Sequence, residues 1–181
     1  SELDVNKNLS TDSDSVISST VSTADNNWIA VGYEDARATK FAPKDFIYKI
    51  DTNGQKYWAL SSSISNGKVA LVDVAKKNDT EYMAVGGCAE SARKKDRYVL
   101  YLMEFSDRGN SNGSVSREAG VDQFGLKNMG MATAVAFNPK LGMYQVCGNN
   151  TREKAAFVYT CSGANDKGSL LAYPGYDFRD I

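Results

Sequence analysis

Hydrophobic and polar residues alternate along this chain in short runs broken by turn residues, and the runs are rich in β-branched and aromatic side chains. Alternation with a period of two marks half-buried strands, and turn residues between such runs fold them into hairpins. The runs fall in groups of four. The first group is Val16 to Val21, Trp28 to Gly32, Phe46 to Ile50 and Lys56 to Leu60. The second is Val69 to Ala75, Tyr82 to Gly86, Tyr101 to Phe105 and Ser114 to Ser116; the third is Ala132 to Phe137, Tyr144 to Gly148, Phe157 to Cys161 and Ser169 to Tyr173. Ala24 to Asn27, Lys77 to Thr80 and Asn138 to Gly142 join first to second runs, and Asp51-Thr52-Asn53-Gly54 is an Asn-Gly hairpin turn, which tolerates positive φ. No segment carries the 3.6-residue periodicity of an amphipathic helix. The pattern predicts an all-β chain of antiparallel meanders.

The groups are repeats. Each second run begins with an aromatic residue and ends in glycine, at Gly32, Gly86 and Gly148, and the unequal spacing of these glycines falls in loops. Asp25 to Leu60 resembles a blade of the bacterial-type β-propeller repeat, in which an aromatic-led strand ends in Val-Gly, a loop follows, and the next strand runs into Asp-x-x-Gly and a Trp, here Trp58. The second unit departs from it in having small residues at the Trp58 position, and the third in having Ser162-Gly163-Ala164-Asn165 at the turn. The resemblance implies an all-β fold of three four-stranded antiparallel blade-like repeats: residues 16–62, 67–119 and 131–174, between a tail at 1–15 and a tail at 175–181. Propellers close with about 4 to 8 blades. Two readings follow: a partial β-propeller that pairs with another copy of itself or with a second propeller-forming chain, or a β-trefoil, whose three repeats close alone.

Composition removes functions more than it adds them. The 181 residues include no histidine, which excludes Ser-His-Asp and Cys-His catalysis and His-ligated zinc or haem. With 21 basic and 22 acidic residues there is no charge excess to support binding to nucleic acid. No apolar run reaches the roughly 20 residues of a membrane-spanning helix, and no motif points to a cofactor or metal. Asp51 and Asp107 lie near third-to-fourth-strand turns, but the Asp51 loop lacks a later bidentate Glu and reads as a turn.

The second-to-third-strand loops, Tyr33 to Asp45, Gly87 to Arg97 and Asn149 to Lys154, are expected to gather on one rim, where a rigid scaffold usually carries its binding residues. Candidate binding residues there are Glu34, Asp35, Arg37, Glu90, Arg93, Lys94, Lys95, Asn150, Arg152 and Glu153. Solvated loop charge is the alternative reading for all of them. Cys147 and Cys161 align with core positions and are expected to be buried and unpaired, while Cys88 enters the rim loop as an exposed thiol. Asn8, Asn78, Asn112 and Asn149 lie in Asn-x-Ser/Thr patterns in the tail or predicted loops; as glycan acceptors they favour a secreted or extracytoplasmic location, which the free cysteines oppose. Trp28, Tyr82 and Tyr144 share one register and are expected to pack between sheets, and the aromatic stretch Tyr173 to Phe178 is expected to dock on its own domain or a partner. The leading functional expectation is a non-enzymatic structural or interaction module that binds a glycan or protein partner through its rim. The alternatives are a carbohydrate-binding, lectin-like domain and a carboxylate-based hydrolase active only in a completed ring.

Overall fold

Side chains branched at Cβ pack well on a pleated surface, and the apolar runs pair as strands in a computed structural model that describes residues 14–35, 44–62, 69–91, 94–109, 130–150, 155–164, 166 and 168–176. Three separate antiparallel sheets result. The first contains β1 (Asp14–Ser22), β2 (Trp28–Asp35), β3 (Lys44–Ile50) and β4 (Lys56–Leu60) in that spatial order. The second contains β5 (Val69–Lys76), β6 (Glu81–Ser91) and β7 (Lys94–Ser106), and the third contains β8 (Met131–Asn138), β9 (Met143–Asn150), β10 (Ala155–Cys161) and β11 (Ser169–Pro174). The fold is all-β, each sheet is a meander, and the sheets do not close into the barrel that a trefoil requires. The predicted fourth strand of the second unit, Ser114 to Ser116, lies outside the described residues.

The marker glycines have a common cause. Each inner strand carries an extra residue at the same register: Ser18 between the Ile17–Gly32 and Ser19–Val31 pairs, Val72 between Leu71–Gly86 and Asp73–Val85, and Thr133 between Ala132–Gly148 and Ala134–Cys147. A bulge of this kind bends its strand and brings the backbone close to the neighbouring one. A Cβ on Gly32 would lie 1.9 Å from the Val16 carbonyl oxygen, and one on Gly86 would lie 1.9 Å from that of Ala70. On Gly148 it would meet the Phe157 ring at 2.3 Å and the Met131 carbonyl oxygen at 2.5 Å. On the third strand an aromatic residue stands opposite each glycine: Phe46, Tyr101 and Phe157.

The sheets stack in sequence order, the inner strand of each laid on the sheet before it: β5 packs against β1, β2 and β3, and β8 against β5, β6 and β7. Ile29, Val31 and Ile47 from the first sheet, Met83, Val85, Leu102 and Phe105 from the second, and Tyr144, Val146 and Tyr159 from the third are buried in one continuous core. Each such aliphatic side chain contributes about 1.5–3 kcal/mol by leaving water. Asp73, next to the middle bulge, ties the inner strands together. Its Oδ1 accepts from Ser19 Oγ at 2.7 Å and from its neighbour's amide, Val74 N, at 2.8 Å; its Oδ2 accepts from Val135 N at 2.8 Å.

Two expectations about side-chain environment are corrected. Trp28 is 37% exposed whereas Tyr82 and Tyr144 are fully buried, because no sheet among the described residues precedes the first to cover it. Cys88 is buried, because β6 continues through the segment read as a loop. Tyr173, in β11, pairs with Ala156 with its side chain exposed, and Tyr176 stands exposed just beyond it. None of the three cysteines forms a disulfide; Cys161 is buried, opposite Tyr144, and Cys147 is half-buried, opposite Val158.

Candidate functional site

The described candidate residues lie on strand ends. Hydrogen bonding continues where polar residues suggested a break, because backbone pairing does not depend on side-chain polarity. Glu34 and Asp35 close β2, with Glu34 opposite Ser15 and Lys44 and Asp35 opposite Asp14. Glu90 lies in β6, and Lys94 and Lys95 begin β7, where Lys94 pairs with Ser91. Asn150 ends β9, opposite Ala155, and is buried. Arg37, Arg93, Arg152 and Glu153 lie outside the described residues. Of the glycan-acceptor patterns, Asn8 and Asn112 are also outside them. Asn149 is no loop residue, since it pairs with both Met131 and Ala156 inside the sheet. Asn78 sits in the β5–β6 turn, its amide donating to Glu81 Oε2 at 2.7 Å and its carbonyl accepting from the Thr80 and Glu81 amides.

The polar groups with the most developed geometry join the first sheet to the second. Lys49 is buried, and its ammonium donates to Asp25 Oδ2 at 2.8 Å and to both oxygens of Asp107 at 2.9 and 2.8 Å. Burial pulls the lysine down, but the hydrogen bonds to Asp107 and Asp25 outweigh it and leave Lys49 above the ordinary lysine value. The Lys49 hydrogen bond, with a second from Thr23, holds the Asp25 carboxyl well below the usual carboxylate range. Trp58 Nε1 donates to the Asp107 carbonyl at 3.0 Å, and the indole lies over Gly109, whose φ of +78° turns the chain beneath it. Asp107 is thus a structural group on both its side chain and its backbone. Asp51 accepts from the Asn53 and Gln55 amides at 2.8 and 2.7 Å and so caps its own turn, as expected.

At the other end of β3, Asp45 is buried and accepts from Ser62 N at 2.7 Å and Ser62 Oγ at 2.6 Å. Burial still pushes its carboxyl above the ordinary value. Lys49, Asp45 and Asp73 escaped the sequence reading. The available signal was a charge inside an apolar alternating run, as in Phe46-Ile47-Tyr48-Lys49-Ile50. Among the described residues no group of three or more carboxylates and cysteines is placed to hold a metal ion, and no helix is long and apolar enough to cross a membrane.

The least covered surface is the outward face of the third sheet, while that of the first is open at Trp28. The outward face of the first sheet presents Trp28 beside Tyr48, whose ring stacks on Phe46 at 4.5 Å and lies under the Lys56 ammonium at 3.9 Å. Ala30, Phe46 and Ile50 are buried on this face, so its apolar exposure is confined to Trp28 at the start of β2. The outward face of the third sheet is barer. β11 is exposed along most of its length, with Leu171 60% and Tyr173 40% accessible, and Val158 and Cys147 are half-buried behind them. No protein-family model matches this chain, and no curated protein is similar to it.

Proposed function

We propose that the chain is a non-enzymatic interaction module: a partial propeller that completes its stack with blades from another copy or a second chain and presents its strand-end rim to a partner. The observation that carries this reading is the contrast between sheet faces. Where one sheet follows another the apolar face is closed to water, whereas Leu171 and Tyr173 on the outward face of the third sheet remain open, and on that of the first Trp28 is exposed among buried neighbours. Exposed apolar faces rimmed by polar residues favour association. The described carboxylates with the best-defined surroundings, Asp25, Asp45, Asp73 and Asp107, are engaged in turns or in contacts between strands, which favours a scaffold over a carboxylate-based hydrolase. Native mass spectrometry over a range of protein concentrations tests the reading. Association that buries the ends is expected; a monomer that unfolds cooperatively and recruits no partner would sink it.

A further inference from the structure

The two junctions inside the chain show what each open end fits. In both, the face that carries Val31 and Ile47, or Val85 and Leu102, receives the inner strand of the following sheet. The outward face of the third sheet is the equivalent of the receiving face, because Cys147 and Val158 pair as Val31 and Ile47 do, and Leu171 pairs with Val158 as Leu60 does with Ile47. The outward face of the first sheet is the equivalent of the inserted face, with Trp28 at the position of Tyr82 and Tyr144.

We propose that a second copy of this chain covers both ends, its first sheet stacking on the third sheet of its partner and the reverse, to close a six-bladed ring. This rests on the partial-propeller reading given above. The ends differ, so the joint is head to tail, and two copies close it without leaving an open filament. Six blades lie within the roughly 4 to 8 at which propellers close.

One position of the joint is neutral on both sides, while the Lys56 ammonium on the first-sheet face stays over the Tyr48 ring. At the first internal junction Lys49 of one sheet meets Asp107 of the next. At the open ends the same two positions are Thr160, opposite Gln145 as Lys49 is opposite Ile29, and Thr52, which follows Asp51 as Asp107 follows Ser106 in the matching turn. Both are neutral, so closure buries no unmatched ion at that contact, a severe cost when it occurs. Leu171 and Tyr173 would then be covered, as Leu60 is within the chain.

The test separates this joint from other dimers. Leu171→Asp alters the third-sheet end and Thr20→Glu the first-sheet end; both residues are exposed, so each variant should keep its fold by circular dichroism. Each alone is expected to weaken dimerisation at least roughly tenfold by sedimentation equilibrium. An equimolar mixture is expected to recover dimer, because one of its two joints then pairs two unaltered faces. A wild-type dimer untouched by either variant, or one broken by Leu171→Asp alone and not restored by mixing, overturns the head-to-tail ring while leaving the partial-propeller reading standing. A wild-type chain that is monomeric throughout and recruits no partner overturns both.

Discussion

Gly32 and Gly86 matter because of what their missing Cβ would strike. The obstruction is a backbone oxygen at 1.9 Å on a bulged strand that cannot retreat without giving up its pairing. Gly86→Ala is therefore expected to cost about 2–4 kcal/mol of unfolding free energy in urea titrations. Gly142→Ala meets nothing within 4 Å and carries only the strain of φ +65°, so it should cost about 1 kcal/mol. The repeated glycine was legible in the sequence but its reason was not, since a bulge is a property of two strands in register. Lys49 gives a second prediction at this scale. Asp25 has a lowered folded pKa, so its contribution is present above the ordinary value of 3.8 and is lost as pH falls through the folded pKa. Lys49 has a raised one, so its contribution is present below 10.5 and is lost as pH rises through the folded value. Urea midpoints should fall at both extremes of pH, and Lys49→Met should flatten both limbs. That variant is expected to cost about 1–2 kcal/mol, less than a fully buried pair, because Asp25 and Asp107 keep access to water.

Between elements, the carboxylate of Asp73 carries contacts to the inner strands on either side of its own. Asp73→Ala is expected to lose about 2–3 kcal/mol, since it removes a charged acceptor and leaves the Val135 amide unpaired. Hydrogen exchange at Val135 should accelerate more than at Val146, which lies directly across the same hairpin. Strand runs were legible to within a few residues because alternation reports which side faces the core. The lengths of β6 and β7 were not. Glu90, Lys94 and Lys95 look like loop residues by composition, yet they lie on strands because β6 and β7 pair on to Ser91 and Lys94. Trp28 shows the same limit from the other direction. Its register matches Tyr82 and Tyr144, but register does not say whether another sheet lies beyond it.

Across the whole molecule, burial is greatest in the middle sheet, where β6 and β7 are flanked by sheets on both faces, and least in β11. Amides of β6 and the Val99–Phe105 part of β7 are expected to exchange slowest and those of β11 fastest in native-state hydrogen exchange of the isolated chain. Slow exchange at Leu171 at high protein concentration, lost on dilution, would report that its face has been covered. The Lys49–Asp107 contact also makes the repeats unequal. The lysine of the first repeat is matched by the aspartate of the second, while the second offers Glu104 at the corresponding place and the third repeat answers with Gly163. Exchanging the second and third repeats would set Lys49 against Gly163, a position with no carboxylate of its own. The three sheets share one architecture but carry an order of their own, a serial address written in side-chain charge, so a duplicated or shuffled repeat would have to change its polar contacts before it could sit in a neighbour's place.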